Sequence, residues 1–255
     1  MLQLFTPYVL GHRERTELDE RGHLALPGII TPAASAALTE ALKRIAVLQE
    51  PYDRGAVSGP RQPGAYAAEN DDFLANLIGH PELLALARSV LSGEIRYDHC
   101  VALNRRAANP GLRWHTHEYA DADPQLRFVR IFFYLTGFEA DDGGLKVVPG
   151  SHLFRDSTVV APSDEELERI WIEGKRHPTT GEPLQIERLS APPGTVVLMW
   201  THSLHGVTPR KPTSPTRWTV VYAYRNPGRP SRSRWISEEF ERAQLPGTEG
   251  LMSLY

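Results

Sequence analysis

The stretch Phe128–Leu135 limits the possible folds of this chain more than any other. In an extended strand, alternate side chains point to opposite faces. Arg130, Phe132 and Tyr134 then share one face, and Val129, Ile131, Phe133 and Leu135 the other. A wholly apolar face set against one that mixes a guanidinium, a phenol and a ring predicts a barrel wall, with helices outside and a ligand chamber inside. Further short strands, punctuated by Gly and Pro, are predicted at Ile95–Asn104, Leu145–Val148, Ile186–Leu189, Thr195–Trp200, Gly206–Pro209 and Arg217–Arg225.

Helices come earlier in the chain. Thr31 is a plausible N-cap with Pro32 at the first helical position, and Leu38, Leu42, Ile45 and Leu48 recur at helical spacing to about Gln49. A second helical segment runs over Asp71–Ser92, restarting at Pro81 and stopping at Gly93. Between them, residues 51–69 are rich in Gly and Pro and are expected to form a long loop of the kind used as a lid. Ser163 to Glu166 is a capping box that opens a helix to about Glu173, and a short helix is predicted from Ser237 to about Gln244. Residues 1–30 show no dominant pattern. The order of helices and then short strands predicts an α+β fold with a β-barrel or jelly-roll core. The core is expected over about 95–225, with a helical N-terminal part over 30–92 and a tail over 226–255. No internal repeat or shift of composition divides the chain, so 1–255 is expected to be one domain.

Composition excludes several classes of function. The chain has 255 residues, enough to bury a large core, with 41% apolar and 23% charged residues. A net charge of −3 argues against nucleic acid as a partner, because that affinity comes from neutralising phosphates. The N-terminus lacks the pattern of a signal peptide, and no apolar run approaches membrane-spanning length, so no membrane partner is expected. The single cysteine, Cys100, suits a reducing compartment, and a cytoplasmic location is expected. Arg225, Arg229, Arg232 and Arg234 form a basic run whose simplest reading is a solvated loop.

Two histidine clusters carry the chemistry. His115 and His117 follow the turn Asn109-Pro110-Gly111, and strand alternation puts both on one face, with Glu118 next in line. His205 lies far along the chain, a distance suited to opposite walls of a barrel. His12, His23, His80, His99 and His177 stand alone and need no ligand role. With one cysteine a structural zinc site of Cys type is excluded, whereas imidazoles with a carboxylate and open positions suit non-haem Fe(II).

Trp114-His115-Thr116-His117, the strand Phe128–Leu135, the run from Asp142-Gly143-Gly144 to Pro149-Gly150-Ser151-His152, Leu204-His205-Gly206, and Arg217 before Trp218 occur in an order that resembles the phytanoyl-CoA dioxygenase family. The resemblance implies a double-stranded β-helix (jelly-roll, cupin-like) barrel with N-terminal and flanking helices. It also implies an Fe(II)- and 2-oxoglutarate-dependent oxygenase that uses O2 to attack a C–H bond of a small molecule, by hydroxylation or oxidative cyclisation. By the same resemblance His115 and His205 match iron ligands, and Arg217 matches the arginine that binds the far carboxylate of 2-oxoglutarate. Phe132 matches a ring lining the cosubstrate pocket, and strand parity puts Arg130 and Asn104 near it. His152 is read as architectural.

One departure from the family pattern matters. Where the family has His-x-Asp or His-x-Glu, this chain has His117, with Glu118 one residue late. Strand geometry puts His117 slightly ahead as third ligand, with Glu118 as the alternative across a local turn. If neither binds, the site is open to an anion, as in related halogenases. Two rival functions remain: a three-histidine dioxygenase that needs no cosubstrate, for which Arg217 has no use, and a barrel that binds a small molecule without turnover.

Overall fold

The computed structural model of the protein describes residues 2–59, 61–117, 126–228 and 235–252. In chain order the elements are α1 (His12–Arg21), β1 (His23–Leu26), α2 (Pro32–Asp53), α3 (Asp72–Leu77), α4 (Pro81–Leu91), β2 (Arg96–Ala102), β3 (Leu112–His115) and β4 (Phe128–Tyr134). There follow β5 (Leu145–Val147), β6 (Val160–Ala161), α5 (Asp164–Leu167), β7 (Glu187–Arg188), β8 (Thr195–Trp200), β9 (His205–Val207), β10 (Thr219–Arg225) and α6 (Glu238–Arg242).

The strands form two five-stranded sheets, ordered β1-β8-β4-β10-β2 and β6-β3-β9-β5-β7, with every pairing antiparallel. The period of two expected for β4 decides how they pack. Val129, Ile131, Phe133 and Leu135 join Val196, Leu198, Val220 and Tyr222 in the apolar cluster under α2, α3 and α4. Phe132 and Tyr134 turn the other way and meet Val197, Met199 and Val221 of their own sheet and Leu145 and Val147 of the facing one. The central sheet is therefore covered by helices on one face and packs its other, inner face against the second sheet.

Local chemistry accounts for most helix ends. The Thr31 side chain accepts from the Ala34 N–H, with Pro32 in the first turn. Asp71 caps α3, Pro81 restarts the chain as α4, and Ser163 caps α5. Two tyrosines on the outer face of β10 tie α3 to the sheet: the Tyr222 hydroxyl donates to the Leu74 carbonyl at 2.9 Å, and the Tyr224 hydroxyl to Ile78 at 2.8 Å.

The structure departs from the sequence reading in several places. Residues 1–30 contain α1 and β1, and β1 extends the central sheet as the partner of β8. Helix α2 runs through Pro51 to Asp53, and Ala67–Glu69 form a 3-10 turn, so the expected loop 51–69 is shorter at both ends. The helix opened by Ser163 continues as a π-turn over Glu168–Ile172. Arg225 is not solvated: it closes β10, is almost fully buried, and its Nε lies 3.3 Å from Asp98, which also accepts from His99 Nδ1 at 2.6 Å. Arg229, Arg232 and Arg234 lie outside the described residues.

Candidate active site

β3 and β9 are antiparallel neighbours, and their register sets His115 directly opposite His205. Gly206 permits the approach, since a Cβ there would stand 3.0 Å from the Leu112 carbonyl oxygen and 3.5 Å from the Trp114 ring. Beyond β3 the backbone stays tied down, with the Thr116 N–H donating to Val159 at 3.1 Å. His117 therefore returns to the side of His115, as alternation requires. The ring centroids are 4.2 Å apart for His115 and His205, 4.9 Å for His115 and His117, and 5.2 Å for His117 and His205. One nitrogen of each ring lies within 4.8 Å of the others, which is a separation one metal ion can bridge.

Backbone carbonyls orient two of the rings. His115 Nδ1 lies 3.1 Å from the Arg113 carbonyl oxygen, and His205 Nδ1 lies 2.9 Å from that of Ser203. A carbonyl only accepts, so both Nδ1 atoms carry the proton and both Nε2 atoms keep a lone pair for a metal. Burial pushes all three imidazoles below the ordinary histidine range, well below it for His117 and His205, and the Arg130 charge adds to the effect. The rings are thus held neutral, as ligation requires. Behind them Trp114 is fully buried, and its Nε1 donates to Asp164 at 2.8 Å.

Arg217 occupies another part of the chamber wall. It is 2% exposed and sits over the rings of Tyr134 and Phe138, at 5.4 and 5.9 Å. Burial, helped by Arg105 and Arg210, brings it down to about 10, still protonated at neutral pH. Its Nε and Nη1 are buried and bond nothing among the described residues. The Asp-Gly-Gly turn exists to make room here. Gly143 has φ +71°, and a Cβ on it would lie 2.4 Å from Arg210 Cδ and 3.2 Å from Arg217 Nη1. Asp142 is committed to Arg210, to the Ser214 hydroxyl and to the Lys211 N–H.

Phe132 lies on the same inner face, stacked 6.0 Å from Tyr134, and Arg130 follows it in register between Ala223 and Met199. Asn104 departs from the parity expectation. Past β2 the pairing of Leu103 with Thr219 and of Arg105 with Arg217 puts those two side chains inward. Asn104 points between them toward α2, where its amide donates to the Leu42 carbonyl at 3.2 Å. It lines a cavity of about 440 Å³ at the β2 edge, together with Gln49, Gln62 and Arg105. His152 is not among the converging rings and bonds the Asp19 carbonyl, fastening α1 to the barrel. Glu118 lies outside the described residues. Sequence reasoning missed Arg105 and Thr219, whose Oγ1 is buried without a partner among the described residues. Only the register across β2 and β10 brings these two inside.

The profile of the phytanoyl-CoA dioxygenase family matches residues 18–214. The chain belongs to this family. It is accordingly an oxidoreductase, an Fe(II)- and 2-oxoglutarate-dependent dioxygenase that acts on a small molecule. The ectoine dioxygenase of Stutzerimonas stutzeri is 24% identical over 217 residues, which are 76% of this chain and 69% of that protein. The structure of HygX from Streptomyces hygroscopicus with nickel and 2-oxoglutarate bound is 21% identical, covers 86% of this chain and 88% of its own, and superposes with a TM-score of 0.60. The epimerase SnoN in complex with Fe3+, alpha ketoglutarate and nogalamycin RO is 17% identical, with 92% and 90% covered and a TM-score of 0.65. These likenesses show the fold, a double-stranded β-helix of the cupin-like kind with flanking helices. The residues present fit the family's two groups. Three neutral imidazoles with converging nitrogens suit Fe(II), and the orphaned nitrogens of Arg217 suit a carboxylate.

Proposed function

We propose that His115, His117 and His205 hold Fe(II), that Arg217 binds the distal carboxylate of 2-oxoglutarate, and that the enzyme hydroxylates or oxidatively cyclises a C–H substrate. The observation that carries this reading is a converged neutral triad together with a buried arginine whose Nε and Nη1 have no partner among the described residues. Iron held by these histidines, with 2-oxoglutarate and O2, would supply the oxidising power, succinate being the co-product. The protein's own residues do the rest. The Arg113 and Ser203 carbonyls keep two imidazoles in the ligating tautomer, and the Arg217 fork sets the direction of the cosubstrate. Phe132, Tyr134 and Val221 keep water from that face of the chamber. Arg130, whose charge acts on all three imidazoles, stands where it influences an anionic group near the metal.

The 1–255 chain works as one unit in this reading, because helices α2, α3 and α4 and the outer face of the barrel share one apolar cluster. That SnoN binds nogalamycin RO and HygX hygromycin B supports a natural-product-like small molecule as substrate. Among the described residues no helix is long and apolar enough to cross a membrane. The lone Cys100, buried and pushed up to about 12 by that burial, supports a reducing, cytoplasmic setting. The test is succinate formation from 2-oxoglutarate by the Fe(II)-loaded protein, with mass change screened across substrate pools. Absence of both succinate and 2-oxoglutarate binding overturns the proposal in favour of a cosubstrate-free three-histidine dioxygenase or a binding barrel.

A further inference from the structure

Arg105 and Arg217 form a direct cross-strand pair. Each donates its backbone N–H to the other's carbonyl, at 3.0 and 2.8 Å. Reciprocal bonding of this kind sets two Cα atoms about 5.5 Å apart with both side chains on one face. Like charges placed directly opposite each other destabilise a sheet unless an anion lies between them. Here neither guanidinium enters a salt bridge among the described residues, and Asp142, the acid acting on Arg217, is committed to Arg210. Arg105 uses Nη1 on the Asn109 Oδ1 at 3.1 Å and keeps a buried Nε without a partner. Arg217 keeps Nε and Nη1 in the same condition. The Arg105 charge acts on Arg217, Tyr134 stands against both, and no carboxylate of the described residues bonds either one.

We infer that Arg105 and Arg217 together form a two-guanidinium clamp for the distal carboxylate of the 2-oxo acid, making Arg105 the residue that selects a dicarboxylate cosubstrate over a monocarboxylate. This rests on the reading of the chamber as a 2-oxoglutarate site. One fork satisfies a carboxylate's two oxygens from one side, and a second cation opposite it engages the remaining lone pairs. A 2-oxo acid without a distal carboxylate leaves two like charges on one face of the sheet with no anion between them, so it is rejected by the repulsion that the dicarboxylate relieves.

The experiment is anaerobic calorimetry on the Fe(II)-loaded protein, titrated with 2-oxoglutarate and with 2-oxopentanoate, the monocarboxylate of equal chain length. Wild type, Arg105→Gln and Arg217→Gln are compared, with circular dichroism to verify folding. Arg105→Gln is expected to weaken 2-oxoglutarate at least tenfold and to leave 2-oxopentanoate unchanged or tighter. If Arg105→Gln does not fold, Arg105→Lys carries the test, with a loss of at least threefold confined to 2-oxoglutarate. If Arg217→Gln loses 2-oxoglutarate while the Arg105 variant keeps it, the clamp is overturned and the proposed function stands. If wild type binds no 2-oxoglutarate, the proposed function and the clamp fall together.

Discussion

His115 and His205 face each other across adjacent antiparallel strands, their ring centroids 4.2 Å apart. The contact joins residues far apart in sequence, and each ring is fixed by a carbonyl two residues before it. The apolar clusters on both faces of the central sheet build the barrel from residues other than the triad.

His115→Ala and His205→Ala are therefore each expected to lose Fe(II) while keeping the fold. Iron stoichiometry together with circular dichroism measures both. Full iron occupancy in either variant removes that residue from the ligand set.

For the third ligand the discriminating pair is His117→Ala and Glu118→Ala. The rings of His117 and His115 are 4.9 Å apart, so His117→Ala is expected to lower iron affinity at least tenfold and Glu118→Ala to change it little. The opposite outcome makes the carboxylate the ligand. Retention of iron and activity by both variants indicates an open, anion-accepting site, and chloride then becomes the substrate to test.

Arg217→Lys keeps the charge but loses the fork. The expected cost is about 1.5–3 kcal/mol in 2-oxoglutarate binding, the range for hydrogen bonds to charged groups. Unchanged affinity in that variant removes Arg217 from the cosubstrate site.

Asp164 joins three elements around the back of the site, accepting from Trp114 Nε1 at 2.8 Å, from Arg188 at 2.8 Å and from Lys146. Burial alone would raise its carboxyl, but these donors bring it down to about 2. Its contribution to stability is present above the unfolded value near 4 and is lost as the pH falls toward 2. Asp164→Asn is expected to cost about 1–3 kcal/mol at neutral pH by leaving Lys146 short of its partner. Urea unfolding at pH 7 measures it, and a change below 0.5 kcal/mol contradicts this role.

Two buried histidines outside the site give the protein an acid sensitivity. Burial lowers His23 and His152 to about 4. Between that value and the ordinary 6.5 the unfolded chain binds protons that the folded one refuses, so stability falls as the pH drops through this window. Each histidine is expected to contribute on the order of 1–2 kcal/mol of loss between pH 7 and pH 5. His152→Gln should flatten the measured pH slope, and an unaltered slope excludes the assignment.

Local stereochemistry made much of this protein legible in its sequence. Strand alternation over Phe128–Leu135 separates the chamber face from the helix-covered face, and it brings His115 and His117 to one side. Capping chemistry marks the starts of α2 and α5 at Thr31 and Ser163. These patterns depend on neighbours a few residues apart, so they survive without knowledge of the rest of the chain. Long-range pairing decided what remained. The four residues His23–Leu26 became an edge strand only because β8 offered them a partner. Asn104 turned to α2 and Arg105 turned inward because Arg105 pairs with Arg217, and His205 reached His115 because β3 and β9 share one register. Register is set by contacts between distant segments, and a shift of one residue would send every one of these side chains to the opposite face.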